Sequence, residues 1–164
     1  MTVTAGGFAL HTPAAQAATT ATTARTATVT KAVTKTVTTR ATRQKAKAVK
    51  AVSAARAQVG DPYRYGGTGP GAFDCSGLVQ YAWKKAGVKI PRVTHSQYAR
   101  IKKKISWKAL QPGDLLFFRG RGHVGMYVGD GKMVHSPSSG KRVRVDRLSG
   151  WRKSSFAGAV RPGS

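Results

Sequence analysis

The sequence predicts an α+β fold. Apolar residues before Pro112 recur at helical spacing, those after Gly113 form short turn-bounded strands, and the part from residue 45 onward can bury one modest core. Residues 45–59 read as a helix, with Val49, Val52 and Val59 near one face and Lys and Arg on the other, stopped by Gly60 and Pro62. Gly66, Gly67, Gly69, Pro70 and Gly71 predict a tight loop. The clearest helix follows, where Leu78, Val79, Ala82, Trp83 and Ala86 make one apolar stripe. Asp74 suits its N-cap and Gly87 its C-terminal stop. Trp83 lies on that stripe and reads as core, whereas Trp107 and Trp151 are open to stacking on sugars. A short helix is expected over 94–101, then strands over 115–118, 124–128, 133–136, 142–145 and 156–160.

The first 44 residues have another character. Residues 18–44 are nearly all Thr, Ala, Val, Lys and Arg, with no aromatic ring to bury, and read as a disordered basic linker. Residues 1–17 contain Ala15-Gln16-Ala17, a signal-peptidase pattern, with Pro13 just upstream. No positive segment precedes it, so the stretch reads as a partial export signal whose true start lies further upstream.

Composition excludes several chemistries. The 164 residues carry 29 Lys+Arg against 5 acids, a formal charge of +24, and every acid is Asp. An EF-hand loop, which ends in Glu, is excluded, and a paired-carboxylate glycosidase has few residues to draw on. The one cysteine excludes an intramolecular disulfide and an all-cysteine zinc site. No stretch reaches the ~18 apolar residues of a membrane span, so the chain is not expected to be integral. A surface this basic should adhere to polyanions: nucleic acid, anionic lipid or an acidic wall polymer. No helix-turn-helix or RNA-binding aromatic signature is present, so no specific nucleic acid is expected.

Cys75 is the most informative residue. It opens a helix after a glycine-rich loop, where free backbone N–H groups and the helix dipole favour a thiolate and should lower its pKa. A thiolate nucleophile needs an imidazole. His11 lies in the export segment and His95 near a helix start. His123 and His135 open and close two strands joined through Gly129-Asp130-Gly131-Lys132. A two-residue Asp130-Gly131 loop would put these histidines on opposite faces. A three-residue loop with Gly131 in the left-handed region puts both on one face, as diagonal neighbours, and is the register expected. One Cys and two His also suit a zinc site, but a thiol at a helix start favours covalent catalysis and no metal is expected.

Five segments carry a resemblance. They are Pro62-Tyr63-Arg64-Tyr65-Gly66-Gly67, Phe73-Asp74-Cys75-Ser76-Gly77-Leu78-Val79, the run from Leu110 to Phe118 around Pro112-Gly113-Asp114, Gly122-His123-Val124-Gly125-Met126-Tyr127-Val128-Gly129, and Met133-Val134-His135-Ser136. In order and spacing, residues 45–162 resemble the NlpC family of cell-wall cysteine peptidases. The resemblance implies a papain-like α+β catalytic domain over 45–164. It implies hydrolysis of peptidoglycan stem peptides, usually between D-γ-glutamyl and the diamino acid, with no cofactor. By the same resemblance Cys75 is the nucleophile, His123 the general base, and His135 the third polar residue, orienting His123. Tyr63 matches a tyrosine near the thiol that helps hold the oxyanion. Asp74 and Ser76 match positions that in some members hold the substrate's free amine, although Asp74 also suits a helix cap and Ser76 a first-turn residue. Gly77 is expected to allow close helix–sheet packing and Asp114 to be structural. A secreted, wall-located monomer follows, its basic charge holding it to anionic wall polymers in the absence of a recognisable wall-binding module. The alternative is a non-catalytic basic wall-binding or adaptor protein.

Overall fold

The computed structural model describes residues 1–2 and 39–164. The expected export signal, apart from its first two residues, and the linker as far as residue 38 lie outside the described residues. Helix α1 covers residues 39–56, so the expected boundary at residue 45 falls inside a helix. Its buried face is also not the valine face. Gln44, Ala48, Ala51 and Ala55 point inward, while Val49 and Val59 are 61% and 49% exposed. Close approach explains the choice of small residues. A Cβ placed on Gly113 would stand 2.8 Å from the Ala48 Cβ, so α1 and Gly113 approach too closely for a side chain at residue 113. Gln44 fastens this end of α1 by donating its side-chain amide to the Pro162 carbonyl at 3.1 Å.

Helix α2 (Cys75–Lys85) is capped by Asp74, whose carboxylate accepts the Gly77 N–H at 2.7 Å. All five residues of its predicted stripe are buried. Gly87 takes φ +75°, which a Cβ would disfavour, and turns the chain away. Helix α3 (Thr94–Arg100) follows. Six strands form one sheet: β1 (Lys104–Ile105), β2 (Leu115–Phe118), β3 (His123–Gly129), β4 (Lys132–His135), β5 (Arg144–Arg147) and β6 (Phe156–Val160). Their order is β1-β6-β2-β3-β4-β5, every pair antiparallel.

Period-two alternation along β2 divides the core. Leu115 and Phe117 join Val124, Met126 and Val134 against α1 and α2. Leu116 and Phe118 join Met133 on the other face, covered by Trp107, Leu110 and Phe156. Trp83 is fully buried, whereas Trp151 is half exposed. The strand expected over 142–145 begins two residues later. Residues 142 and 143 are held elsewhere: Arg142 bridges Pro62, and the Val143 N–H donates to Asp61 O at 2.8 Å. Strand β1, a 3₁₀ turn at Trp107–Ala109 and helix α4 (Gly150–Ser154) were not expected, being too short to show a period.

Candidate active site

A short-range network sets the position of Cys75. Phe73 bridges both Tyr63 and Thr68, and the Asp74 N–H donates to Gly67 O at 3.0 Å. The Ser136 hydroxyl donates to Phe73 O at 2.7 Å, tying the end of β4 to the loop that delivers the cysteine. Gly77 proves to face this loop rather than the sheet. A Cβ there would lie 2.0 Å from the Gly67 carbonyl oxygen. Gln97, fully buried, donates to Ser76 O at 3.1 Å and Pro91 O at 2.9 Å and so steadies the first turn of α2 from α3.

The histidines meet as the expected register requires, though by a different turn. Met126 pairs with Val134 and Tyr127 with Met133, which sets Gly125 beside His135. The loop itself is a two-residue turn, with Asp130 at φ +52° and Gly131 at φ +62°. A register shift between Tyr127 and Gly129 supplies the extra residue. Gly125 leaves space for the imidazole: a Cβ on it would stand 3.3 Å from the His135 Cβ. His123 Nε2 and His135 Nδ1 lie 2.8 Å apart, and His135 Nε2 lies 2.9 Å from Asp146 Oδ2.

This chain fixes the tautomers. Burial alone would raise the Asp146 pKa, but hydrogen bonds from His135 and Arg144 outweigh it and hold the carboxyl below its usual range. Ionised Asp146 can only accept, so His135 Nε2 carries a hydrogen and neutral His135 accepts at Nδ1. His123 Nε2 must then donate, which leaves the lone pair of His123 on Nδ1. The backbone N–H of Val124, the residue after His123, favours the thiolate form of Cys75. His123, His135 and Asp146 thus stand in series, not around one point. Among the described residues no three His, Cys or Asp side chains converge as metal ligands would.

Electrostatics corrects one expectation. Burial pushes the Cys75 thiol up, Asp74 adds to this, and the N–H groups of Val124, Ser76 and Cys75 only partly oppose it. The helix start does not yield a resting thiolate. Burial, with His135 and Arg152 beside it, lowers His123 to about 3, and burial lowers His135 to about 4 against the pull of Asp146. At neutral pH the site holds a neutral thiol and neutral imidazoles.

Tyr63 shares a cleft with Cys75, Asp74, Ser76 and Arg92. Its hydroxyl pKa is raised by burial and then by the neighbouring sulfur. Asp74 and Ser76 do reach this cleft, but their polar atoms are occupied. Oδ1 of Asp74 accepts from Gly77, Ser76 and Arg92, and Oδ2 accepts from Gly66 and Arg92. The Ser76 hydroxyl also accepts from Arg92 at 2.7 Å. Both residues thus hold the helix start and Arg92. Asp114 is structural, fully buried and paired with Arg161 at 2.8 Å.

Arg92, Gln97, Asp146 and Arg152 were not singled out from the sequence. Arg152, on α4, is buried and donates to Asp146 at 2.5 Å. Asp146 had a legible signal. It pairs with Met133 across β4 and β5, on the face of His135, and the expected strand stopped one residue short of it.

The sequence pattern of the NlpC/P60 family matches residues 60–160. The murein DD-endopeptidase MepH of Escherichia coli is 47% identical over 100 residues, covering 56% of this chain and 37% of that protein. The structure of an NlpC/P60 family protein from Bacillus cereus superposes with a TM-score of 0.64 at 36% identity, over 70% of this chain and 39% of that one. The peptidoglycan hydrolase RipB of Mycobacterium tuberculosis superposes at 0.64 with 29% identity, over 73% of this chain and 66% of that one. The fold is the α+β, papain-like one expected. The chain spans 19% to 37% of the length of curated relatives it matches.

Proposed function

This chain belongs to the NlpC/P60 family, and we propose that it is a cysteine endopeptidase that hydrolyses the peptide stems of peptidoglycan, at the bond between D-γ-glutamyl and the diamino acid. One observation carries the reading. The hydrogen-bonded series from His123 through His135 to Asp146 leaves the His123 lone pair on Nδ1, and the backbone of Val124, next in sequence to His123, favours the thiolate of Cys75 at the start of α2.

In this reading Cys75 is the nucleophile. His123 Nδ1 takes the thiol proton as sulfur bonds to the scissile carbonyl carbon. The oxyanion is held by the Cys75 backbone N–H and the Tyr63 hydroxyl. Collapse breaks the C–N bond, and His123 returns the proton to the leaving amine. Water then attacks the thioester with His123 as base, releasing the acid and restoring the thiol. His135 orients His123, and Asp146 fixes the tautomer of His135. Asp74 and Ser76 act through the helix start and Arg92. The setting proposed is outside the cell, at the wall, as a monomer. Among the described residues no helix is long and apolar enough to cross a membrane.

The test is a digest of purified peptidoglycan by the full chain and by Cys75→Ala, read by mass spectrometry. New fragments ending in γ-D-Glu, present only with Cys75, are expected. Binding of both proteins to the wall without any fragment would overturn the reading in favour of an adaptor.

A further inference from the structure

One groove stands apart from the cleft. It measures about 550 Å³ and shares no residue with the hollows that hold Cys75 and the two histidines. Cys75 opens α2, and the groove begins at Val88, three residues past the other end of that helix. The eleven residues of α2 rise about 16 Å, so an occupant of the groove leaves Cys75 free. Three segments wall it. The loop after α2 brings Lys89, the end of α3 and the run after it bring Arg100, Lys102 and Lys103, and residues 161–164 close the third side. The apolar part of the lining is aliphatic, from Ile90, Ile101 and Pro162, with no aromatic ring.

The fold does not use the charge gathered here. It does use Lys104, the next residue in the run: that ammonium donates to the carbonyl oxygens of Tyr98 and Ile101 and stands 4.3 Å from the centroid of the Tyr98 ring. Arg161 also borders the groove but is paired with Asp114. Lys89, Arg100, Lys102 and Lys103 are exposed, and none of them joins an ion pair among the described residues. No Asp lines the groove, so these four cations face at most one carboxylate, that of Ser164. Like charges around a concavity repel one another and concentrate a positive potential inside it, which an anion relieves. The shape selects the anion. The volume lies in the roughly 300–1,000 Å³ range of ligand sites. Cations above an aliphatic floor suit a thin chain in which phosphodiesters alternate with polyol or sugar. A nucleic acid strand needs rings on which its bases stack, and the groove offers none. A bilayer surface is too broad to enter it.

We propose that this groove is a docking site for a phosphodiester polymer of the cell wall, whose phosphates are gripped by Lys89, Arg100, Lys102 and Lys103, and that it tethers the protein with the Cys75 cleft unobstructed. The wall as source of the polymer rests on the endopeptidase reading; the anion site rests on the groove alone. Positive charge elsewhere on the chain adds attraction, and the groove sets where the polymer lies.

The experiment titrates the full chain calorimetrically with polyglycerol phosphate at about 150 mM salt. Two triple variants are compared. Lys89→Gln/Lys102→Gln/Lys103→Gln clears the groove of lysine, and Lys45→Gln/Lys47→Gln/Lys50→Gln removes the same charge from the exposed face of α1. The groove variant should bind at least about tenfold more weakly. Its slope of log affinity against log salt should fall by about two, as the loss of three phosphate contacts on a flexible chain requires. The α1 variant should lose less than about threefold, its charges being screened from the bound polymer. Equal losses in the two variants overturn the proposal and leave only diffuse attraction. So does an equal or larger loss, in the groove variant, of binding to a single-stranded oligonucleotide of matched phosphate number or to phosphatidylglycerol vesicles, which would assign the groove to nucleic acid or membrane. Both variants are also run on a soluble γ-D-glutamyl stem peptide, whose turnover should match wild type because no groove residue lines the cleft. Groove-dependent polymer binding by a chain that cleaves no stem peptide would defeat the endopeptidase reading and leave the anion site standing. Normal cleavage, with equal polymer binding by wild type and the groove variant, would do the reverse.

Discussion

At the scale of single residues, the pKa directions make a prediction about Cys75. A thiol raised by burial, beside an imidazole lowered to about 3, is not an ion pair. Its alkylation by iodoacetamide should climb steadily with pH and level off only above the range of an ordinary cysteine. A plateau already present at pH 6 would show that a thiolate is held at rest. The relay predicts a ranking: His123→Ala loses more turnover than His135→Ala, since one residue moves the proton and the other only aims it. Asp146→Asn can donate to His135 Nε2 and so permits the wrong tautomer. We expect a loss of about 10–100-fold in kcat with a displaced pH profile, and partial rescue by Asp146→Glu. An unchanged profile would leave Asp146 a merely structural partner. Cys75, His123 and His135 were readable because each sits in a local pattern of turn and strand. Asp146 and Arg152 were not, because their partners are brought to them by pairing of β4 with β5 and by a five-residue helix.

At the scale of elements, what the sequence revealed follows the strength of each local signal. Helix α2 announced itself through five spaced apolar residues and two caps, and all of these keep their roles. The inward face of α1 was misread because valine outranks alanine in hydrophobicity. The structure uses alanine there, where the limit is distance and not transfer energy. The hairpin register was foreseen but the turn was not, since a bulge next to a two-residue loop has the same effect as a longer loop. Gly77 gives the prediction at this scale. Alanine normally favours a helix over glycine, but here its Cβ would meet the Gly67 carbonyl oxygen at 2.0 Å. Gly77→Ala should therefore destabilise by about 2 kcal/mol or more and lower Tm by about 5 °C. A melting curve at or above wild type would mean the loop yields freely.

For the whole molecule, the buried histidines link stability to acidity. Their ordinary value is 6.5, and folding lowers His123 to about 3 and His135 to about 4. Below pH 6.5 the unfolded chain takes up protons that the folded one refuses. Stability is complete above that value and declines on acidification toward pH 4. Asp74 and Asp146, lowered from 3.8, add to the decline only below about pH 4. Thermal unfolding should show this slope, and His123→Gln/His135→Gln should flatten it; a flat wild-type curve would contradict the buried neutral pair. The formal charge of +24 predicts that sedimentation with purified walls weakens steeply between about 50 and 500 mM salt, and salt-independent retention would exclude an electrostatic hold. Strand order has a last consequence, for biosynthesis. Strand β6 lies between β1 and β2, so the sheet stays in two pieces until residues 156–160 have been synthesised. A protein cut short before Phe156 by a premature stop codon would lack the strand that joins β1 to the rest of the sheet.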